Sequence, residues 1–114
     1  MKLYHGTAKV NRGSIKRHGL IPRNTGDWNH PGVGEYQGGP AVYAEQDPFH
    51  AFGWGKMSKR AKRDRYQDAD VWEIDATGLP IERDKLIREA TRILTKVPPD
   101  RIRLLDPDEL AKAA

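Results

Sequence analysis

Residues 21–40, IPRNTGDWNHPGVGEYQGGP, cut the chain in two. Glycine, proline and asparagine crowd this segment, and each favours turns over helix or ladder. No regular element is expected across it, so the fold must be built from short elements on either side. A long loop of this kind in a compact domain is commonly a lid or a binding segment. The whole chain, residues 1–114, has the length of one small domain. With 37% hydrophobic and 32% charged residues, its core must be small and much of the chain must lie at the surface.

The apolar pattern names the elements. KLYHG reads as a strand, with Leu3 and His5 on one face and Tyr4 on the other. AKVNRGSIKRHGL follows as a short, poor helix interrupted by Gly13, with Val10 and Ile15 as its apolar points. Gly19 stands where a left-handed C-terminal cap belongs, and Leu20 is the apolar residue beyond it. AVYAE is a second short strand. Asp47 and Pro48 open a helix as cap and first residue, which turns Ala51, Phe52 and Trp54 inward.

DVWEID alternates Val71, Glu73 and Asp75 against Trp72 and Ile74, a strand with one wet face. LPIERD extends or bends it. In DKLIREATRILTKV, Leu86, Ile87, Ala90, Ile93, Leu94 and Val97 recur at helical spacing, and propensity also favours helix. PPDRIRLL breaks that pattern and resumes as a strand, and DPDELAKAA ends the chain as a turn or helix. The sum is an α+β domain of several short strands and few short helices.

The residue inventory excludes several chemistries. The absence of cysteine removes disulfides, thiolate metal sites and cysteine nucleophiles, and fits a cytoplasmic location. His18, His30 and His50 lack ligand spacing on a common helix face, so no metal is expected. The opening MKLYHGTAK has no long apolar run, and no segment reaches membrane-spanning length, so no membrane partner is expected. The net charge of +4 eases the approach of acidic partners without naming one. Lys56, Lys59, Arg60 and Arg63 share one helical face, which suits either solvent or the phosphates of a nucleic acid.

LYHGT, the HGL-x-P segment at residues 18–22, VYAE-x-DP, VWEID-x-x-GL and VPPDRIRLL occur in this order along nearly the whole chain. Together they resemble the ADP-ribosyltransferase fold, in the branch with a His-Tyr-Glu triad shared by diphtheria-toxin-like enzymes and poly(ADP-ribose) polymerases. The resemblance implies a split β-sheet core and an enzyme that transfers ADP-ribose from NAD, its substrate, to a protein or nucleic acid acceptor with release of nicotinamide. It implies that His5 bonds a ribose hydroxyl, Gly6 offers its backbone to the carboxamide, Thr7 adds a hydroxyl contact and Tyr43 stacks on the nicotinamide. Glycine suits close approach to backbone, and a tyrosine ring supplies a flat apolar face. Trp28 in the long loop is placed to close over the ligand, and Arg12, Arg17 and Arg23 near the first strand to meet its pyrophosphate.

The third triad member is implied to be a Glu opening a late strand, and Glu89 has that place relative to the proline pair. Such a carboxylate stabilises an oxocarbenium-like centre, as in glycoside cleavage. The helical spacing of its segment instead makes Glu89 a solvent-facing charge, with Glu45 and Glu73 as substitutes. Taken singly, His5 and Tyr43 read as ordinary strand residues. Two further functions stay open: a non-catalytic module binding NAD, ADP-ribose or nucleic acid on the same scaffold, and an RNA 2′-phosphotransferase-like enzyme using Arg101 and Arg103.

Overall fold

The computed structural model describes residues 1–23, 40–57, 69–84 and 90–113. Strand β1 runs Lys2–Ala8, followed by a 3-10 turn at Lys9–Asn11 and helix α1 at Arg12–His18. Then come β2 (Val42–Ala44), α2 (Pro48–Met57), β3 (Ala69–Asp75) and β4 (Ile81–Arg83). β5 (Thr91–Ile93), a second 3-10 turn at Pro99–Arg101, β6 (Ile102–Leu104) and α3 (Pro107–Ala113) complete the order. These form a small α+β domain with two antiparallel three-stranded sheets, ordered β1-β3-β6 and β2-β5-β4.

The two sheets touch through Tyr4 and Glu45. Tyr4 N–H donates to the Glu45 carbonyl at 2.7 Å, and Glu45 N–H returns the bond at 2.8 Å. This pair is an isolated bridge rather than part of a ladder. β1 and β2 are thus joined at one point, and the sheet is split there.

Alternation along β1 pairs Leu3 with Ile74 and His5 with Trp72 on one face, and Gly6 with Val71 on the other. The first face joins the core, where Leu3, Ile74, Ile93 and Val97 are each at most 1% exposed. Each such side chain contributes about 1.5–3 kcal/mol of burial. The other face carries α2. That helix begins as the sequence predicts, with Asp47 Oδ1 accepting from the Phe49 N–H at 2.8 Å. It lies so close to β1 that a Cβ at Gly6 would stand 1.6 Å from the Ala51 carbonyl oxygen, and one at Gly55 would stand 2.7 Å from Thr7 N.

This closeness corrects two expectations. Ala51 and Gly55 face the sheet, whereas Phe52 and Trp54 are only half-buried, because the contact admits only the smallest side chains. Val71 lies on no wet face: it is 2% exposed under α2. Val10, expected to be an apolar anchor, is 57% exposed, and Ile15 alone anchors α1. Gly19 does take the positive φ of a C-terminal cap, 76°, and its N–H closes on the Ile15 carbonyl at 2.8 Å.

The largest correction concerns residues 90–97. Their helical spacing gives way to a strand, β5, paired with both β2 and β4. The ladders on its two sides supply the backbone partners that a helix would have found internally. Arg92, at the centre of β5, is wholly buried. Its guanidinium pairs with Glu82, stands 4.0 Å from Asp84 and lies 5.9 Å from the centroid of the Tyr43 ring. The last helix is capped reciprocally: Glu109 N–H donates to Asp106 Oδ1 at 2.9 Å, and Asp106 N–H to Glu109 Oε1 at 3.3 Å. No helix among the described residues is long and apolar enough to cross a membrane.

Candidate active site

Where β1 and β2 part, His5 reaches across the split. Its Nδ1 lies 2.6 Å from the main-chain oxygen of Tyr43. A carbonyl oxygen only accepts, so Nδ1 carries the proton in this bond. In the neutral ring Nε2 is then the nitrogen with the acceptor lone pair. Two residues 38 apart in sequence are thereby fixed side by side.

A narrow cleft opens at this point, with Tyr4, His5, Gly6 and Tyr43 on one side and Glu45, Trp54 and Ala90 among its other lining groups. Its volume is about 20 Å³, room for about one water. The lining is mostly apolar and includes the rings of Tyr4, Tyr43 and Trp54, a surface that suits a flat heterocycle.

The expected residues fare differently. His5, Gly6 and Tyr43 line the cleft together. Thr7 is buried, and its hydroxyl accepts from Asn11 Nδ2 at 2.8 Å. It is not part of the cleft lining. Arg23 is exposed, with its main chain paired to Ala41, and is likewise outside the lining. Arg12 grips the buried Asp70 through two bonds, at 2.9 and 2.6 Å. Its guanidinium pKa is raised, chiefly by that hydrogen bond.

Arg101 donates to the carbonyls of Asp75 and Thr77, and Arg103 to Glu73 and Glu109. These two arginines hold the fold together away from the cleft. Lys56 is exposed, its Nζ 5.4 Å from the Phe52 ring centroid. Trp28, Lys59, Arg60, Arg63 and Glu89 lie outside the described residues. Glu89 directly precedes Ala90, which lines the cleft and leads into β5.

Glu45, a substitute for the third triad carboxylate, lines the cleft, whereas Glu73 does not; sequence reasoning missed Trp54 and Ala90 as cleft residues, and Arg92 altogether. Trp54 and Glu45 each read as parts of local elements, and only the packing of α2 on β1 and the Tyr4–Glu45 bridge bring them to the cleft beside His5. Arg92 carried one usable signal, a charge amid β-branched neighbours that strand alternation would have made a core position. Among the described residues, no group of three or more histidine or carboxylate side chains is arranged to hold a metal ion. The sequence matches no protein-family model, and a search of curated proteins returns no match.

Proposed function

We propose that the protein is an NAD-dependent ADP-ribosyltransferase acting in a reducing, cytoplasmic setting. The observation that carries this reading is the 2.6 Å contact of His5 with Tyr43 at the mouth of a split sheet. It sets an imidazole, a tyrosine and the backbone of Gly6 around one cleft. Nε2 of His5 accepts from a ribose hydroxyl, the Tyr43 ring stacks on the nicotinamide, and Gly6 bonds the carboxamide. Backbone alternation supports the last role. Tyr4 points its N–H and C=O towards Glu45, so those of Gly6, two residues on, face the same side.

Glu89, one residue before Ala90, supplies the carboxylate that steadies positive charge at the anomeric carbon. The helical alternative for this segment has lost its ground at residues 91–93, which form β5. As nicotinamide leaves, it takes the electron pair of the C–N bond and departs neutral. At about 20 Å³ the cleft is too narrow for the ring, so its lining must open on binding, and the half-buried Trp54 is the side chain proposed to move.

Nicotinamide release from NAD, followed chromatographically, tests the proposal. It is expected in the native protein and lost in both His5→Ala and Glu89→Gln. Release that persists in both variants would remove the site, and NAD binding without release in the native protein would leave a binding module.

A further inference from the structure

Arg92 stands opposite Tyr43 in the ladder of β2 and β5, and opposite Glu82 in that of β5 and β4. Residues directly opposite share one face of a sheet, so the three side chains form a row with the tyrosine at its cleft end. The guanidinium carbon lies 5.9 Å from the centroid of the Tyr43 ring, within reach of a cation–π contact. The same guanidinium pairs with Glu82, and its Nε stands 4.0 Å from Asp84 Oδ2. Arg92 is 0% exposed and is not among the described residues that line the cleft.

Stability alone does not call for a cation here. A buried ion pair loses much of its attraction to desolvation, and apolar side chains of similar volume often do as well or better. What the guanidinium adds is direction, because it is a planar fork held in one orientation by its carboxylate partners. Tyr43 needs that direction. His5 Nδ1 holds its main-chain oxygen at 2.6 Å, which fixes the backbone but not the angles χ1 and χ2 that orient the ring. The residue is only half-buried and borders the cleft, so packing holds one side of it.

Resting on the transferase reading above, we propose that Arg92 is a positioning residue for NAD: from outside the cleft it fixes the plane of the Tyr43 ring on which the nicotinamide stacks. His5 sets where the tyrosine main chain stands, and Arg92 sets how its ring faces. The stacking is made before the C–N bond breaks as well as during the break, so it contributes to NAD binding rather than to the chemical step. Arg92 touches no reacting atom and moves no proton.

Nicotinamide release and NMR of the Tyr43 ring test this on the full chain. Arg92→Lys keeps the charge and loses the plane. Arg92→Met combined with Asp84→Leu removes the buried pair as a whole and regains part of the stability that Arg92→Met alone loses. Both variants are expected to raise KM for NAD about fivefold and to leave kcat within about twofold. A purely structural role would instead lower the active fraction, and so the apparent kcat, at unchanged KM. With Tyr43→Leu already in place, Arg92→Lys is expected to raise KM no further, because the ring it acts through is gone. Without NAD, the Tyr43 ring is expected to flip faster in Arg92→Lys, read from the averaging of its ring-carbon signals. An unchanged KM, additive effects of Arg92→Lys and Tyr43→Leu, or an unchanged flip rate would overturn the assignment. Absence of nicotinamide release in the native protein would instead overturn the transferase reading, with the flip rate still testing whether Arg92 holds the ring.

Discussion

Gly6 and Ala51 meet backbone to backbone: a Cβ on the glycine would stand 1.6 Å from the alanine carbonyl oxygen. The glycine after His5 is therefore required by the docking of α2 on β1, whether or not a ligand also approaches it. Gly6→Ala forces the helix off the sheet and is expected to cost about 3 kcal/mol or more. Gly55→Ala, with Thr7 N and Ala69 Cβ within 2.8 Å of the added atom, is expected to be costly too. Gly13 and Gly53 sit in helices with nothing within 4 Å, so alanine there is expected to stabilise by about 0.5–1 kcal/mol. Urea denaturation of the four variants checks the contrast.

Arg92 is the largest wholly buried side chain among the described residues, and it faces Glu82, Asp84 and the Tyr43 ring. Asp84 is itself 1% exposed at its side chain. Removing the cation strands a buried carboxylate, so Arg92→Met is expected to destabilise by about 3–5 kcal/mol. Adding Asp84→Leu is expected to restore part of that loss, because the stranded charge goes with it. A double-mutant cycle by thermal melting separates this coupling from simple loss of packing.

The clamp on α3 gives a pH dependence. Glu109 accepts from Arg103 at 2.8 Å through each oxygen, and from the Asp106 N–H. These bonds, that of Arg103 first, hold its carboxyl down from the ordinary 4.5 to about 2. A depressed carboxyl stabilises the folded form above its unfolded pKa and ceases to do so as pH falls through the folded one. The protection of the Leu110 and Ala111 amides, measured against intrinsic exchange at each pH, is therefore expected to fall between about pH 4.5 and pH 2, marking release of α3. Glu109→Gln is expected to show the reduced protection already at neutral pH and to lose the transition.

If the cleft opens for a flat ring, Trp54 is the indole expected to move and Trp72 is not, since Trp54 lines the cleft and Trp72 is 3% exposed in the core. Addition of NAD is expected to shift the Trp54 indole resonance and leave that of Trp72 in place. A Trp54 signal indifferent to saturating NAD would count against the cleft as the ligand site.

Local pattern was enough to place β1, the cap at Gly19, the start of α2 at Asp47 and β3, because these follow from alternation, a positive φ and a capping carboxylate acting over a few residues. It failed at residues 91–97, where apolar spacing matched a helix as well as a strand. That ambiguity was settled by β2 and β4, which lie far away in sequence and pair with β5 from both sides. It failed again at Phe52 and Val71, whose exposure depends on how closely α2 lies on the sheet.

From sequence alone came the residue types around the cleft: an imidazole, a glycine and a tyrosine in two short strands, with no cysteine to compete. Only tertiary structure decided that β1 and β2 join at one pair and then separate, which brings His5 against Tyr43 and leaves Glu45 at the cleft. The reason is physical: strand propensity is a local energy, whereas the point at which two strands part is set by what packs on both of their faces.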